Sequence, residues 1–260
     1  MVPIRHIGET TDIRALRATG QYEEVAVDLR GVTTVLLPGT GSDDNYVYRA
    51  FSGPLEDFGA VLITPAPNPG RLIEGYRAAL DDAARHGPVV VGGVSIGAAV
   101  AATWALAHPD RTIAVLAALP PWLGDPTAAP AAHAARYTAS QLRRDGLEAT
   151  TAQMRASSPS WLADELARSW RAQWPKLPEA MEEAASYAAP RLAELSRLLP
   201  PLGVVAAVDD PIHPLQVAVD WVTAAPQAAL RTVTLVDMGA DTAALGAACL
   251  AALSEAASRR

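Results

Sequence analysis

The sequence predicts an α/β fold: a mostly parallel central sheet with helices on both faces. Three observations carry this. From residue 33 onward, short apolar runs rich in Val, Ile and Leu alternate with longer stretches of helical pattern, the order expected of βαβ units. One junction is abrupt. The run PVVV at 88–91 passes through Gly-Gly-Val-Ser-Ile-Gly straight into an Ala-rich stretch, so a buried parallel strand turns at once into a tightly packed helix. Finally, 260 residues with 50% hydrophobic composition suit one α/β domain with a large buried core, and the chain is expected to form a single domain over 1–260.

The first 30 residues carry the weakest pattern. A first strand is expected at 2–7, a short helix or loop at 11–19, and an edge strand at 24–29, where EVAVDL alternates. His6 is expected at the surface. TTVLL at 33–37 reads as a strand ending in Pro38-Gly39-Thr40-Gly41. Ser42, Asp43 and Asp44 are then expected to open a helix through Phe51 as N-capping residues. A sharper reading has one of them line a pocket mouth and disfavour anionic substrates.

Residues 60–64 are expected as a strand, followed by the rigid loop PAPNPG and an amphipathic helix over 72–85 with Leu72, Ile73, Tyr76, Ala79 and Leu80 on one face. His86-Gly87-Pro88 ends that helix. The Ala-rich helix after Ser95 should run to about Leu106 and stop at His108-Pro109-Asp110. TIAVLAAL at 112–119 is the next parallel strand, leading into Pro120-Pro121-Trp122. Between 121 and 200 no strand pattern is visible, and Ala-rich helices carry Trp161, Trp170, Trp174, Tyr137 and Tyr187. Most of these aromatics read as core at helical spacing. Trp122, just past a strand end, is the candidate pocket wall, while His133 reads as solvent-facing. LGVVAAV at 202–208 returns to the sheet, 215–224 is a helix, and RTVTLV at 231–236 is the last strand.

Composition excludes several function classes. With 28 acidic and 21 basic residues the formal net charge is −7, and no basic patch marks a nucleic-acid partner. The one cysteine, Cys249, allows neither an internal disulfide nor a Cys-rich zinc site and reads as a small core residue. No ligand cluster or phosphate loop implies a metal or organic cofactor. The uncharged stretch 89–107 approaches the length of a membrane span, but the Gly-Gly-Val-Ser-Ile-Gly break argues for strand, turn and helix. MVPIRHIGETTD has no apolar h-region, so a soluble, cytoplasmic protein with no membrane partner is expected.

Gly93-Val94-Ser95-Ile96-Gly97 is the chemical centre of the sequence. A strand-to-helix bend this sharp forces its apex residue into unfavourable φ/ψ and needs neighbours without bulk. It holds the Ser95 hydroxyl above the strand ends, at a helix N-terminus whose free N–H groups favour negative charge. This is the G-x-S-x-G nucleophile elbow, and with it the chain resembles the α/β-hydrolase superfamily. The resemblance extends in order along the sequence and is weakest before residue 30. It implies an α/β-hydrolase fold with a helical cap at 121–200, and acyl transfer from a carboxylic ester, thioester or small amide to water, with Ser95 as nucleophile. The Pro-Gly after the first of these strands stands where the family commonly has His-Gly. By resemblance the N–H groups of Thr40 and Ile96 are the oxyanion donors, and Gly39 and Trp122 lie against a small-molecule acyl substrate. In Asp209-Asp210-Pro211-Ile212-His213-Pro214 the pattern D-x-I-x-P resembles the triad acid, which makes Asp210 the acid and Asp209 the runner-up.

The resemblance breaks at the base. The family's triad order is Ser, acid, His, with the histidine just after the last strand. Here that stretch reads Asp237-Met238-Gly239-Ala240-Asp241, Ala240 occupies the expected position, and no histidine follows His213. A serine without a base is a poor nucleophile. Four readings follow: an engineered His-to-Ala change at Ala240, His213 moving in as base, a hydrolase fold with a degenerate triad doing non-hydrolytic lyase or cyclase chemistry, or a non-catalytic binding protein.

Overall fold

The computed structural model describes residues 27–259, and six strands within them form one open, fully parallel sheet. In chain order the elements are β1 (Thr33–Leu37), α1 (Asp44–Asp57), β2 (Val61–Ile63), α2 (Leu72–Ala83), β3 (Val89–Val94), α3 (Ile96–Ala107) and β4 (Thr112–Ala118). Four helices follow: α4 (Pro130–Ser157), α5 (Ser160–Gln173), α6 (Leu177–Ala185) and α7 (Leu192–Leu195). The chain then returns through β5 (Leu202–Ala207), α8 (Leu215–Ala224), β6 (Ala228–Val233), α9 (Leu235–Ala240) and α10 (Ala244–Ser258). The sheet order is β2-β1-β3-β4-β5-β6. This is the α/β-hydrolase fold that the resemblance implied.

Two apolar layers sandwich the sheet, and the period-2 alternation of its strands feeds both. Val35, Leu37, Val89 and Val91 face the layer built with α2, α3 and α8, where Tyr76 and Trp221 are fully buried. Leu36, Val90 and Val94 face the opposite layer, built with α1 and α10. Cys249 lies in this second layer, and burial pushes its thiol pKa well up, so it is a packing residue. The stretch 89–107 divides into β3 and the twelve-residue α3, and among the described residues no helix is long and apolar enough to cross a membrane.

Several expected boundaries shift. The elements expected at 2–7 and 11–19 lie outside the described residues, and the part of 24–29 that is described, residues 27–29, has no regular structure. Helix α1 does not stop at Phe51 but continues to Asp57 across Pro54. Pro54 has no N–H to offer the Ala50 carbonyl four residues back. Helix α10 comes against that carbonyl instead, at Gly246, where a Cβ would lie 2.1 Å from the Ala50 oxygen. The last strand runs Ala228–Val233 rather than 231–236. Thr234 ends it by capping α9: its hydroxyl accepts from Asp237 N–H at 3.0 Å while the Asp237 carboxylate accepts from Thr234 N–H at 2.9 Å.

The segment between β4 and β5 is helical, as its composition predicts. Helix α4 is kinked at Gly146, whose φ is +79°. Leu142 of α4, Trp170 of α5, and Leu177 and Met181 of α6 make a third apolar cluster. Polar ties join the segment to the sheet layer. Glu183 accepts from the Leu72 and Ile73 N–H groups at 2.9 and 3.1 Å, and Gln173 Nε2 donates to the Ser42 carbonyl at 2.9 Å.

Candidate active site

Ser95 sits at the N-cap of α3 with φ 53° and ψ −117°, a conformation that costs a non-glycine residue about 1–3 kcal/mol. The glycines around it show why the bend survives. A Cβ on Gly97 would lie 2.2 Å from the Leu37 carbonyl oxygen, and one on Gly93 2.4 Å from that same oxygen and 2.8 Å from the Gly97 carbonyl carbon. Strand β1, the β3–α3 turn and the Pro38–Gly41 loop therefore press together backbone to backbone. Gly39 completes the contact, its absent Cβ falling 3.5 Å from that of Ser95. Ser95 N–H donates to the Ala118 carbonyl at 2.9 Å, which ties the turn to β4.

His213 reaches this serine from two strands away. The loop after β5 folds tightly on Asp210, whose Oδ1 accepts from the Ile212 N–H at 2.8 Å and the His213 N–H at 3.3 Å. The His213 ring then lies between two partners: Nδ1 is 2.7 Å from Asp210 Oδ2 and Nε2 is 2.8 Å from Ser95 Oγ. Burial alone would push the Asp210 carboxyl up. The hydrogen bond and charge of His213, with the Ile212 and His213 N–H groups, outweigh it and hold the carboxyl below its ordinary value. An ionised Asp210 only accepts, so Nδ1 carries the proton and Nε2 is free to accept the Ser95 hydroxyl proton.

Each residue singled out in the sequence can now be placed. Ser95, Asp210 and His213 come together. Asp209, the runner-up acid, is turned away, its Oδ1 accepting from Leu235 N–H at 2.8 Å at the start of α9. Ala240, the expected histidine position, is the exposed last residue of α9 and is absent from the cavity wall; Met238 of that helix lines the cavity instead. The stretch that holds Ala240 is helix, and its exposed end does not reach Ser95. Thr40 and Gly39 line the cavity. Among the described residues, the N–H groups of Thr40 and of Ile96, the first residue of α3, have no hydrogen-bond partner. Trp122 also lines the cavity, its indole N–H donating to the Tyr187 carbonyl at 3.1 Å. Asp43 is the N-cap of α1, accepting from Tyr46 N–H at 3.0 Å. His133 is exposed, and His108 ends α3 stacked on Trp104.

The cavity over Ser95 encloses about 340 Å³. Its walls are mostly apolar, with Leu119 and Trp122 from the β4 side, Leu162, Trp170 and Met181 from the helical segment, and Ile212 from the His213 loop. Two carboxylates line it, Asp210 and Glu165; Glu165 is paired with Arg49 at 2.6 Å and with Arg168, and Arg168 also binds Asp43. Sequence reasoning missed Tyr46, Trp161, Glu165 and Met238 as cavity residues. Their helical spacing shows only that one face is covered, not that the cover leaves a void. Among the described residues no group of three His, Cys, Asp or Glu side chains could hold a metal ion.

A serine raised on a strained strand-to-helix turn and bridged by an imidazole to a half-buried carboxylate sits here on the α/β-hydrolase fold, under a mostly apolar cavity. The sequence profile of the alpha/beta hydrolase family matches residues 6–243, and the chain belongs to that family. No curated protein matches the sequence. Solved structures with the same fold include a thermophilic esterase from Thermogutta terrifontis with malate bound, 17% identical over 79% of this chain and 81% of that one, with a TM-score of 0.58. The enol-lactonase from Burkholderia xenovorans LB400 is 17% identical over 79% and 83%, with a TM-score of 0.61. MGS-M2, an alpha/beta hydrolase enzyme from a Medee basin deep-sea metagenome library, is 14% identical over 87% and 90%, with a TM-score of 0.63. At these identities the likeness shows the fold.

Proposed function

We propose that the protein is a serine hydrolase acting on an uncharged carboxylic ester or thioester, with Ser95 as nucleophile, His213 as general base and Asp210 as the acid that orients it. One observation carries this reading: His213 bridges Ser95 Oγ and Asp210 with both ring nitrogens at hydrogen-bond distance. The names of two neighbours in fold, an esterase and an enol-lactonase, agree with ester chemistry. The 121–200 segment serves as a cap that supplies apolar wall, and a cytoplasmic location belongs to the same reading.

The chemistry follows from the geometry. Ser95 Oγ attacks the substrate carbonyl and its proton passes to His213 Nε2. Asp210 stabilises the imidazolium that forms and keeps the proton on Nδ1. The carbonyl oxygen takes up negative charge where the unpartnered Thr40 and Ile96 N–H groups and the α3 N-terminus favour it. Collapse expels the alcohol or thiol, which takes the proton from Nε2, and water then releases the acyl group by the same steps in reverse roles.

The test is labelling of Ser95 by a fluorophosphonate together with turnover of short p-nitrophenyl esters by three forms of the protein. The unaltered chain turns over ester. His213→Ala lowers kcat by roughly 10⁴–10⁶-fold. Ala240→His leaves the rate within ~3-fold, as for a surface substitution away from the site. A large gain in Ala240→His with an indifferent His213→Ala would reverse the assignment of the base, and no label with no turnover would end the hydrolase reading.

A further inference from the structure

The helix that fills the place expected for the base has another property. Gly239 of α9 lies directly under the indole of Trp161 from α5. A Cβ on Gly239 would fall 2.3 Å from Trp161 Cδ1, 2.7 Å from Nε1 and 3.0 Å from Cγ. No real Cβ tolerates such contacts, so the indole is where it is only because residue 239 has no side chain. Gly239 is in helical conformation, without the positive φ that would make glycine necessary for the backbone. The need for glycine here is steric and points at one partner.

Trp161 also meets helix α1. Its ring stacks on Tyr46 of α1, with centroids 6.3 Å apart and planes at 21°. Both rings line the cavity over Ser95, as do Leu235 and Met238 of α9 itself. The indole is thus a slab wedged between α1 and α9 with one surface on the cavity. At about 340 Å³ the cavity lies toward the low end of the range for small-molecule sites. Displacing one indole within it changes which substrates fit.

Resting on the hydrolase reading above, we propose that Trp161 is the residue that limits the length of the substrate's apolar group, and that Gly239 is the positioning residue that seats it. The stretch after β6 has, on this account, exchanged a catalytic duty for a specificity duty. The base comes from the β5 loop, and α9 sets the position of a cap residue against the pocket.

The experiment measures kcat and KM for two ester series, p-nitrophenyl esters of straight-chain acids from acetate to decanoate and acetates of straight-chain alcohols. Trp161→Ala moves the preferred length upward by at least two carbons in one series. Gly239→Ala has a methyl where the indole edge now lies, which drives the ring into the cavity. KM for the longer esters of that series rises at least tenfold while kcat for the shortest ester stays within threefold. The double variant Gly239→Ala/Trp161→Ala restores the longer esters, a rescue that general loosening of the fold would not give. Isothermal titration with unreactive N-methylalkanamides of the same lengths reads the limit without turnover, and Trp161→Phe carries the test if Gly239→Ala does not fold. Length profiles unchanged in Trp161→Ala in both series, or a kcat loss in Gly239→Ala equal at all lengths, overturn the proposal. An unlabelled Ser95 with no ester turned over overturns the hydrolase reading instead, and the titration still decides whether Trp161 sets a length limit.

Discussion

Asp210 joins three donors on one carboxylate: the Ile212 N–H, the His213 N–H and the His213 ring. Its folded-state pKa lies below the unfolded one of about 3.9. A carboxyl depressed on folding contributes stability that is fully present above the unfolded value and is lost as pH falls through the folded one. The stability difference between the unaltered protein and Asp210→Asn is therefore expected to be flat above about pH 5 and to shrink steadily below about pH 4. Denaturant titrations of both forms from pH 3 to pH 7 check this; a gap that widens on acidification would mean the carboxyl is not stabilised as an anion. The position of Asp210 was legible in the sequence as D-x-I-x-P, and its carboxylate lies against the His213 ring. The contact of His213 with Ser95 was not legible, because it depends on whether a three-residue turn can send a ring back over two strands. The turn does so by wrapping on the Asp210 carboxylate itself, with Pro211 and Pro214 stiffening its ends. Asp209, one residue earlier, points to α9.

The β3–α3 turn shows how an element can carry its steric argument in its own letters. Gly93 and Gly97 flank Ser95, and both would place a Cβ within 2.4 Å of the same Leu37 carbonyl oxygen. Such contact cannot be relieved by a side-chain rotation, because the opposing atoms are backbone of a buried central strand. Gly97→Ala is expected to cost at least ~1–3 kcal/mol and to lower the rate of fluorophosphonate labelling, since β1 or α3 must move and Ser95 moves with it. Urea unfolding and labelling kinetics on one preparation check it, and a variant as stable and as reactive as the parent would contradict the close approach. This part of the fold was readable because the strand, the glycines and the Ala run are contiguous. The β6–α9 junction was misread for the converse reason. RTVTLV has the residues of a strand, but Thr234 and Asp237 satisfy each other's backbone N–H groups, and that local pairing starts a helix where propensity favours extension. Helix α1 likewise runs past its expected end at Phe51. Helix α10 packs on its Ala50 carbonyl at Gly246, a contact between segments nearly two hundred residues apart that no local pattern reveals.

At the scale of the whole molecule, the helical segment and the sheet layers enclose the cavity between apolar walls, and polar contacts at its edges fix how they sit together. Glu183 of α6 is the clearest of these. Helix α2 has no side-chain N-cap, since Arg71 at that position makes none, and the Leu72 and Ile73 N–H groups would otherwise go unsatisfied. The Glu183 carboxylate accepts both, from more than a hundred residues away, and places a negative charge at the positive end of α2. The layered architecture was visible in the sequence as alternating strands and helices, yet this tie was not, because a glutamate on one helix face does not name the helix it will cap. Glu183→Ala removes the cap and leaves two first-turn donors without partners, at a cost of about 1–2 kcal/mol by analogy with ordinary N-caps. The loss falls on both sides of the seam at once. Amide hydrogen exchange is therefore expected to quicken at the start of α2 and along α6 together, while the buried centre of β3 keeps its protection. Glu183→Gln retains an acceptor but not the charge, and lands between the two. Exchange that rises in α6 alone would mean that Glu183 steadies only its own helix; exchange that rises in both places by the same factor would mean that the helical segment and the sheet layer open as one unit through this carboxylate.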